Sequence, residues 1–402
     1  MRRREFLRAA GPIMAGFSLA GPGALCAASD LRNFKITRIT GFQHACPRPK
    51  LIGKNSHLDV HGSQTGDSVL RVATDQGVEG VGAGRATPET AARLLGRTLD
   101  EFWKPGEGIV SPLERADHAL YDLIGKALNL PIWKMFGGKG PEWVPVYDGG
   151  IYFNDLFPEH AIRGVARLLD EVEESMKAGH RAFKIKVGRG FKWMEREDGF
   201  RRDVEVMRSI RKLAGRDIRL MADSNNGFDL ETTMRWLEAV GDELFFLEEM
   251  FPEKVEEDLK LKEYLHRKGW KTLIADGESV RDIEQFDPFI QAAAIDVLQP
   301  DIRALGLTLQ WTLSRRLLAR PGLRLAPHNW GSFLGFYMQL QLGRGVPNFL
   351  MAEQDRAKSD LFDTSAFVFR EGKVRVPDLP GTGLILREDV FSAKYHEKAW
   401  TR

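Results

Sequence analysis

Eight short apolar runs alternate with amphipathic helical patterns from about residue 144 onward, and this alternation constrains the fold more than any other feature. A strand that is followed each time by a helix is typical of a parallel sheet. Eight such units predict an α/β protein with a closed (β/α)₈-type barrel. An open doubly wound sheet is the alternative, but Tyr147-Asp148-Gly149-Gly150 after the first run lacks its Gly-rich phosphate-binding fingerprint. The eight runs are Val144–Tyr147, Ala182–Val187, Ile218–Ala222, Leu244–Leu247, Thr272–Ala275, Ala294–Leu298, Leu323–Ala326 and Phe349–Ala352.

The segment before the barrel has a different pattern and predicts a small N-terminal α+β domain over residues 34–143. Apolar and polar residues alternate at Phe34–Ile39 and again at Ser68–Val72, which is typical of antiparallel strands. Between them, the polar stretch Arg48–Asp67 predicts a mobile loop. Apolar residues at helical spacing follow at Leu113–Leu128.

The remaining segments complete the predicted organisation of the 402-residue chain. The barrel is expected over residues 144–353. The tail, residues 354–402, no longer alternates between strand and helix patterns, and we expect it to pack on the N-terminal domain. No tandem repeat other than the strand–helix unit is present.

Residues 1–28 predict a twin-arginine-type signal peptide. Arg3-Arg4-Glu5-Phe6-Leu7-Arg8 precedes a modestly apolar run, and small residues follow at Ala24–Ala28. Positive, apolar and small segments in this order are typical of export signals, and the apolar run is too short to span a bilayer. We therefore expect export to the periplasm, and the alternative is a cytoplasmic enzyme with a disordered basic N-terminus.

Charge and cysteine content narrow the range of partners. The whole chain has a net charge of +2, and residues 1–28 contain four Arg and one Glu, so the remainder carries about −1. A near-neutral protein offers no basic excess for nucleic acid or an anionic membrane. Of the two cysteines, Cys26 lies in the predicted signal, so the mature chain, with Cys46, is expected to form no internal disulfide. We expect a small-molecule partner and a homo-oligomer.

Ionisable residues follow seven consecutive apolar runs, at the point where each run ends. The carboxyl ends of all barrel strands meet at one mouth, where active sites of this fold lie. A single acid after a strand is usually a helix cap or a solvated loop residue, but many converging charges repel one another unless a cation lies among the acids. The residues are Lys186 with Lys184, Asp223, Glu248 with Glu249, Glu278, Asp301, His328 and Glu353.

Five of these residues suggest metal-assisted proton chemistry. Asp223, Glu248 and Glu278 offer hard oxygen ligands without a paired His or Cys, which suits Mg²⁺ better than zinc. Lys186 and His328 are expected to enter the mouth from opposite sides. Either could act as a general base if its pKa lies near the working pH.

Neighbouring groups are expected to shift the pKa values of Lys186 and His328. Burial, the cation and Lys184 would lower the pKa of Lys186. Asp301 can orient the imidazole of His328 and raise its basicity. Glu353, if protonated, can donate a hydrogen bond to a substrate oxygen.

The order of these motifs resembles the mandelate racemase subgroup of the enolase superfamily. The motifs are Lys-x-Lys, Asp-x-Asn, Glu-Glu, Gly-Glu, Gln-Pro-Asp and Pro-His-Asn. Tyr121–Ala127 and Phe136–Lys139 are similar to segments of that family's capping domain. The resemblance implies Mg²⁺ ligands Asp223, Glu248 and Glu278, one base at Lys186 tuned by Lys184, a second base in a His328–Asp301 dyad, and enolate stabilisation by Glu353.

The chain departs from the family pattern at two places. Met250 stands where the family usually has Pro after Glu-Glu, and the turn between Asp301 and Gly306 is one residue shorter than the common pattern. The muconate-lactonising and dipeptide-epimerase branches are also similar, but they place a lysine after the sixth strand, where this chain has Asp301.

The resemblance implies Mg²⁺-dependent removal of the α-proton of a carboxylate substrate through an ene-diolate. Dehydration of a sugar acid to a 2-keto-3-deoxy acid is favoured, because the resemblance implies that most members with this set of residues carry out that reaction. The polar stretch Arg48–Asp67 also suits a polyhydroxylated substrate, and Asn225 and Asn329 are expected to bind it. Racemisation or epimerisation of a 2-hydroxy acid is the alternative. A non-catalytic exported sugar-acid-binding protein belongs to another class, but binding alone does not need Lys186 and His328 together. A zinc hydrolase would need His-rich ligands near the first run, and none is present.

Overall fold

The computed structural model describes residues 30–110, 113, 115–157 and 162–402 of the chain. The predicted signal, residues 1–28, lies outside the described residues. None of the described helices is both long and apolar enough to cross a membrane. In chain order these helices are α1 (Pro88–Ala91), α2 (His118–Ala127), α3 (Ile132–Met135), α4 (Val165–Lys177), α5 (Arg196–Ala214), α6 (Leu230–Val240), α7 (Val255–Lys268), α8 (Asp287–Ala292), α9 (Ile302–Leu317), α10 (Phe333–Gly345) and α11 (Glu388–Lys394).

An antiparallel sheet forms the core of the N-terminal region. Its apolar face includes Ile39 and Val72, which belong to the same buried cluster as Leu123 of α2. A side chain at Gly80 would place its Cβ 2.4 Å from backbone and side-chain atoms of α2, so glycine allows the helix to lie close to the sheet. The strands of this region are β1 (Ile36–Ile52), β2 (Gly62–Thr74) and β3 (Glu79–Ala83), with a separate pair β4 (Trp103–Lys104) and β5 (Gly108–Ile109).

The polar stretch Arg48–Asp67 is strand at both ends and loop only in its middle, whereas a mobile loop was predicted throughout. Strands β1 and β2 extend into it until Ile52 lies opposite Gly62, so the connection shrinks to residues 53–61. Prolines hide the alternation in the sequence, and a register irregularity after Pro47 accommodates them. Strands β1 and β2 therefore form a long β-hairpin, and its connecting loop is limited to residues 53–61.

Eight parallel strands form the barrel that the alternation predicted. Strands β6 to β12 pair in chain order, and β13 pairs with β6. Phe349, just before β13, forms a parallel bridge with Leu325 of β12, and the Leu350 N–H donates to the Leu325 carbonyl at 2.8 Å. These contacts close the ring. The strands are β6 (Trp143–Ile151), β7 (Ala182–Lys186), β8 (Arg219–Asp223), β9 (Leu244–Glu248), β10 (Leu273–Asp276), β11 (Val297–Leu298), β12 (Arg324–Leu325) and β13 (Ala352–Gln354).

One side chain from or beside each barrel strand fills the barrel interior. These residues form a buried cluster of Tyr147, Ala182, Met221, Phe246, Ala275, Val297, Ala326 and Met351. Because side chains alternate along a strand, the residue two positions further on faces the same interior. That position lies at the carboxyl end of the barrel, and in six of the eight units it carries Lys184, Asp223, Glu248, Gln299, His328 and Glu353.

The C-terminal tail contacts both the barrel and the N-terminal sheet. Its third strand pairs with the barrel strand β6, and its last strand pairs with β1 as the fourth strand of the N-terminal sheet. The tail therefore joins the two sheets. Its strands are β14 (Phe362–Asp363), β15 (Val368–Arg370), β16 (Lys373–Arg375), β17 (Ile385–Leu386) and β18 (Trp400–Thr401).

Candidate active site

The residues predicted at the strand ends come together at the carboxyl end of the barrel. Lys184 and Asp223 are each at most 1% exposed, and so are Glu248 and Glu353. Glu278 and the His328–Asp301 pair lie at the more open side, where their side chains are between 12% and 22% exposed. The mouth therefore has a buried floor and a partly exposed edge.

Lys184 occupies the centre of this floor. Its ammonium donates to Glu248 and lies 2.9 Å from Glu353 Oε1 and 3.2 Å from Asp223 Oδ2. Burial by itself lowers the pKa of Lys184, but the carboxylates of Glu248 and Glu353 outweigh it and raise the pKa well above its usual value. Lys184 is therefore a permanent cation that links three acids.

Lys186 pairs with Asp223, and this pairing reverses the predicted direction of its pKa. Its ammonium donates to Asp223 and lies 5.0 Å from the centroid of the Tyr152 ring. Burial lowers the pKa of Lys186, as expected, but the Asp223 charge outweighs it, so the pKa is raised above the usual lysine value. In this arrangement Lys186 is protonated rather than poised as a base.

His328 and Asp301 form the predicted dyad. The Nδ1 of His328 donates to Asp301 Oδ2 at 2.8 Å, and Nε2 lies 3.3 Å from Glu278 Oε2. Burial lowers the pKa of His328, but the carboxylates of Glu278 and Asp301 raise it to about 10. The pKa of Asp301 is held at about 2 because the His328 hydrogen bond and charge outweigh burial. The dyad is therefore an imidazolium–carboxylate pair near neutral pH.

The short turn after Asp301 keeps this residue in place by breaking α9. Asp301 Oδ1 caps the first turn by accepting from the Ala304 N–H at 2.7 Å. Gly306 then has φ 69° and ψ 174°, which interrupts the helix. Asp117 caps the continuation by accepting from the backbone N–H groups of Leu307 and Thr308 at 2.9 and 2.8 Å. The predicted helix Leu113–Leu128 accordingly begins only after Asp117, at His118.

The three predicted metal ligands lie at the same mouth but are not the tightest acidic group. Lys184 contacts both Asp223 and Glu248, whereas Glu278 contacts His328. Among the described residues, the three carboxylates with ligand atoms all within 4.8 Å of one another are Glu249, Glu253 and Asp276.

The donor chemistry of the predicted three nevertheless fits a hard cation. Burial and the charges of Asp223, Glu353 and Glu278 raise the pKa of Glu248 well above its usual value, although Lys184 opposes this. The mouth thus holds more carboxylates than its lysines and histidine neutralise. An oxygen-liganded divalent ion would relieve this excess.

Glu353 differs from the prediction in its protonation state. It accepts from the backbone N–H of Asn329 at 2.9 Å as well as from Lys184. Burial raises the pKa of Glu353, but the Lys184 and His328 charges outweigh it and lower the pKa. Glu353 is therefore an anionic acceptor in this arrangement, whereas a donor role was predicted for it only if protonated.

The two predicted substrate-binding asparagines make protein contacts. The Asn225 amide donates to Glu249 Oε2 at 3.0 Å, and the Asn329 amide donates to the Ser332 carbonyl at 3.0 Å. Both side-chain oxygens are buried without a hydrogen-bond partner among the described residues. Asn329 is fully buried, so its contribution at the mouth is the backbone N–H that it gives to Glu353.

Gln299 is a site residue that the sequence reasoning missed. Its side-chain amide donates to Glu248 Oε2 at 2.6 Å and is fully buried. Gln299 lies two positions after Val297, so the alternation along β11 could have identified it. Gln299 belongs to the Gln-Pro-Asp motif, in which a role was predicted only for Asp301.

An aromatic wall beside Lys186 was also missed. The rings of Tyr152 and Trp330 stack with centroids 4.7 Å apart and an angle of 22°, and the Trp330 indole N–H donates to His61 Nδ1 at 3.3 Å. The Arg48 guanidinium lies 4.9 Å from the Trp330 ring centroid. These residues come from three separate segments, so only the folded chain brings them together.

The loop 53–61 covers one side of the mouth. The Ser56 hydroxyl lies 3.0 Å from the Val187 carbonyl oxygen and 2.5 Å from that of Ser224. The Trp193 indole N–H donates to the Asn55 carbonyl at 2.6 Å. The loop is therefore attached to the ends of β7 and β8, which limits water access to Lys186 and Asp223.

Comparison with known proteins identifies the family. Residues 167–390 match the family model described as enolase C-terminal domain-like. The galacturonate dehydratase of a Geobacillus species, solved with D-galacturonate and 5-keto-4-deoxy-D-galacturonate, is 31% identical with a TM-score of 0.84, over 92% of this chain and 99% of that chain. A variant of that dehydratase, solved with Mg, is 30% identical with a TM-score of 0.86, over 92% of this chain and 97% of that chain.

A curated relative is also a dehydratase. The arabinonate dehydratase of Saccharolobus solfataricus is 27% identical over 291 residues, which cover 70% of this chain and 71% of that protein. The match to the family model spans more than half of the chain and includes all of the strand-end residues. The chain therefore belongs to the enolase C-terminal domain-like family and is an enzyme of the mandelate racemase type within the enolase superfamily.

Proposed function

We propose that this enzyme dehydrates a sugar acid to a 2-keto-3-deoxy acid with the help of Mg²⁺. The observation that carries the proposal is the pairing of Lys186 with a His328–Asp301 dyad around a buried group of carboxylates. The galacturonate dehydratase of Geobacillus, which is 31% identical to this chain, was solved in complex with D-galacturonate. A dehydratase needs one group to remove a proton and a second to protonate the leaving oxygen.

Asp223, Glu248 and Glu278 would hold the Mg²⁺ ion. All three supply hard oxygen donors, and Glu248 lies in an excess of negative charge that a divalent cation would relieve. When bound, the ion would neutralise charge developing on the substrate carboxylate and offset the Asp223 charge that raises the Lys186 pKa.

Lys186 is the proposed base for the α-proton. Its Nζ belongs to the buried floor next to the Tyr152 ring, where solvent cannot compete for the proton. Lys184 would supply a fixed positive charge that tunes Lys186, because its pKa is raised well above the usual value. Glu353 holds Lys184 in position through its 2.9 Å contact.

His328 is the proposed acid that protonates the departing β-hydroxyl. Its pKa of about 10 keeps the imidazolium protonated near neutral pH, which suits proton donation better than proton removal. Asp301 holds the ring at Nδ1, so Nε2 is the nitrogen that donates.

Racemisation or epimerisation is the second candidate, because the same two groups could serve the two faces of one carbon. The experiment that separates the candidates is a screen of mono- and diacid sugars with Mg²⁺ present, followed by detection of 2-keto acids. We expect at least one sugar acid to release a 2-keto acid. Inversion at the α-carbon without keto-acid release would favour the racemase, and absence of α-proton exchange with every acid would leave only binding.

We also propose that residues 1–28 direct export of the enzyme. The support is the Arg3-Arg4-Glu5-Phe6-Leu7-Arg8 string. Expressed in a host with a twin-arginine pathway, the full chain should be recovered from the periplasm. The Arg3→Lys, Arg4→Lys double variant should stay in the cytoplasm, and a cytoplasmic wild-type enzyme would contradict the proposal.

Light scattering of the purified enzyme tests the expected homo-oligomer.

A further inference from the structure

A second group of acids lies next to the mouth, on the outer side of the barrel wall. Glu249 follows β9 directly, and Asp276 ends β10. Because Ala275 belongs to the barrel interior, the next residue, Asp276, faces the surrounding helices. Glu253 joins these two acids, with ligand atoms of all three within 4.8 Å of one another. The group adjoins the mouth, since the charges of Glu278 and Asp223 help to raise the pKa of Glu249.

An independent observation comes from Asp258 on α7. This side chain is 2% exposed and lines the same small cavity as Glu249 and Asp276, with a volume of about 10 Å³. Its Oδ2 has no hydrogen-bond partner among the described residues, and neither has Glu253 Oε1. Buried acceptors are normally satisfied, because leaving one unpaired costs free energy.

Among the described residues, none of these four acids forms an ion pair, in contrast to the acids of the barrel mouth. Lys186 lowers the pKa of Glu249 and Lys262 lowers that of Asp258, but the Lys262 ammonium lies 2.6 Å from Asp296. Burial, together with the charges of Glu253 and Glu257, raises the pKa of Asp258 to about 7. The side-chain amides of Asn225 and Asn226, which are neutral, donate hydrogen bonds to Glu249.

We propose that Glu249, Glu253, Asp258 and Asp276, called here the outer cluster, form a second divalent-cation site, distinct from the proposed Mg²⁺ site, and that its preferred ion is Ca²⁺. Three carboxylates line a cavity of about one water-sized sphere, and Glu253 lies close to two of them, which suits an ion that accepts six to eight oxygens in flexible geometry. Mg²⁺ prefers strict octahedral geometry and retains several waters, for which this cavity has little room.

The outer cluster would act on the active site through the backbone. Glu249 adjoins Glu248 and has a left-handed φ of 41°, a conformation that a non-glycine residue adopts only when its surroundings hold it. Asp276 lies two residues before Glu278. A cation between Glu249 and Asp276 would therefore fix the ends of the two strands that carry Glu248 and Glu278.

Calorimetric titration of chelator-treated full-length enzyme with Ca²⁺ and with Mg²⁺ tests the proposal. We expect two equivalents of divalent ion for the wild type and one for Asp258→Asn, with the lost equivalent being the one that prefers Ca²⁺. Asp223→Asn should lose the other equivalent and keep the Ca²⁺ site. Glu256→Gln, on the exposed side of α7, is the matched control and should bind two.

Several results would overturn the proposal independently of the proposed reaction. A single equivalent in the wild type that disappears in Asp223→Asn would show that only the mouth binds metal. Two equivalents that persist in Asp258→Asn would place the second ion elsewhere. If Asp258→Asn does not fold, Glu253→Gln, at a partly exposed position, carries the same test. Because the readout is stoichiometry, failure of the dehydratase assignment leaves the result interpretable.

Discussion

The barrel mouth and the outer cluster contain the same kind of side chain in opposite electrostatic settings. In the mouth, Lys184 and Lys186 lie directly against the carboxylates. In the outer cluster, Asp258 keeps an unpaired oxygen and has an elevated pKa of about 7 because of burial and neighbouring acids. A site that transfers protons needs acidic and basic side chains next to each other. In a site that only binds a cation, the cation itself can balance the charge of the carboxylates. The comparison predicts that mouth variants change turnover and outer variants change stability.

The largest effect is expected from removing either proposed proton-transfer group. Lys186→Ala and His328→Ala should each reduce kcat by about 10³-fold or more, since general acid–base groups contribute about 10²–10⁴-fold. The measurement is steady-state release of 2-keto acid, with far-UV circular dichroism to confirm folding. Lys212→Ala, at an exposed position on α5, is the control and should keep full activity. Normal turnover in either active-site variant would show that the roles are wrong.

Loss of metal is the next expected effect. Glu248→Gln should lose the Mg²⁺ equivalent and activity together, because the amide replaces a charged oxygen ligand. Elemental analysis of the purified variant, at Mg²⁺ concentrations that saturate the wild type, measures this. Unchanged Mg²⁺ content would show that Glu248 is not a required ligand.

A smaller effect on turnover, with a shift in pH dependence, is expected for Asp301→Asn. The carboxylate orients His328 and helps to raise its pKa to about 10. Without it, turnover should fall by about 10²-fold. Because the proposed acid must be protonated, the loss of activity at high pH should begin at a lower pH in the variant. An unchanged high-pH limb would mean that His328 is not the acid.

In the metal-free enzyme, Asp258 of the outer cluster should show its effect in stability. The folded-state pKa of Asp258 is raised to about 7 by burial, so the metal-free enzyme should lose stability as pH rises from the ordinary aspartate range through 7. Asp258→Asn should weaken this slope and stabilise the metal-free enzyme at pH 8 by about 1–3 kcal/mol. Denaturant unfolding at several pH values measures both. A lower stability of the variant at pH 8 would contradict the account of an unpaired acid.

The smallest effect is expected at the covering loop. Ser56→Ala removes the hydroxyl between the Val187 and Ser224 carbonyls, at a cost of about 1 kcal/mol of loop attachment. We expect KM for the sugar acid to rise by a few-fold while kcat changes little. A large fall in kcat with unchanged KM would indicate that the loop takes part in the chemistry.

The sequence predicted the barrel and the inward strand-end residues because both depend on simple periodicities. A repeat of apolar runs defines the strands, and the two-residue alternation aims Lys184, Asp223 and Glu248 into one space. Gln299 follows the same rule and was missed only because it is uncharged. These features depend on local sequence and on fold-level geometry.

Features that depend on contacts between distant segments could not be predicted. The protonation state of Glu353 depends on Lys184, which is 169 positions away in the chain and becomes its neighbour only in the closed barrel. The raised pKa of Lys186 depends on its pairing with Asp223. Asp276 directly follows the predicted run Thr272–Ala275, but its proximity to Asp258 depends on how α7 packs against the barrel.

Proton exchange at the substrate α-carbon tests the central claim most directly. Proton NMR of sugar acids incubated with the enzyme and Mg²⁺ in D₂O should show loss of the α-proton signal with at least one acid, accompanied by a 2-keto-3-deoxy product. The same incubation with Lys186→Ala should leave the α-proton in place. An α-proton that persists with wild-type enzyme and every acid tried, or that exchanges equally with Lys186→Ala, would contradict the account.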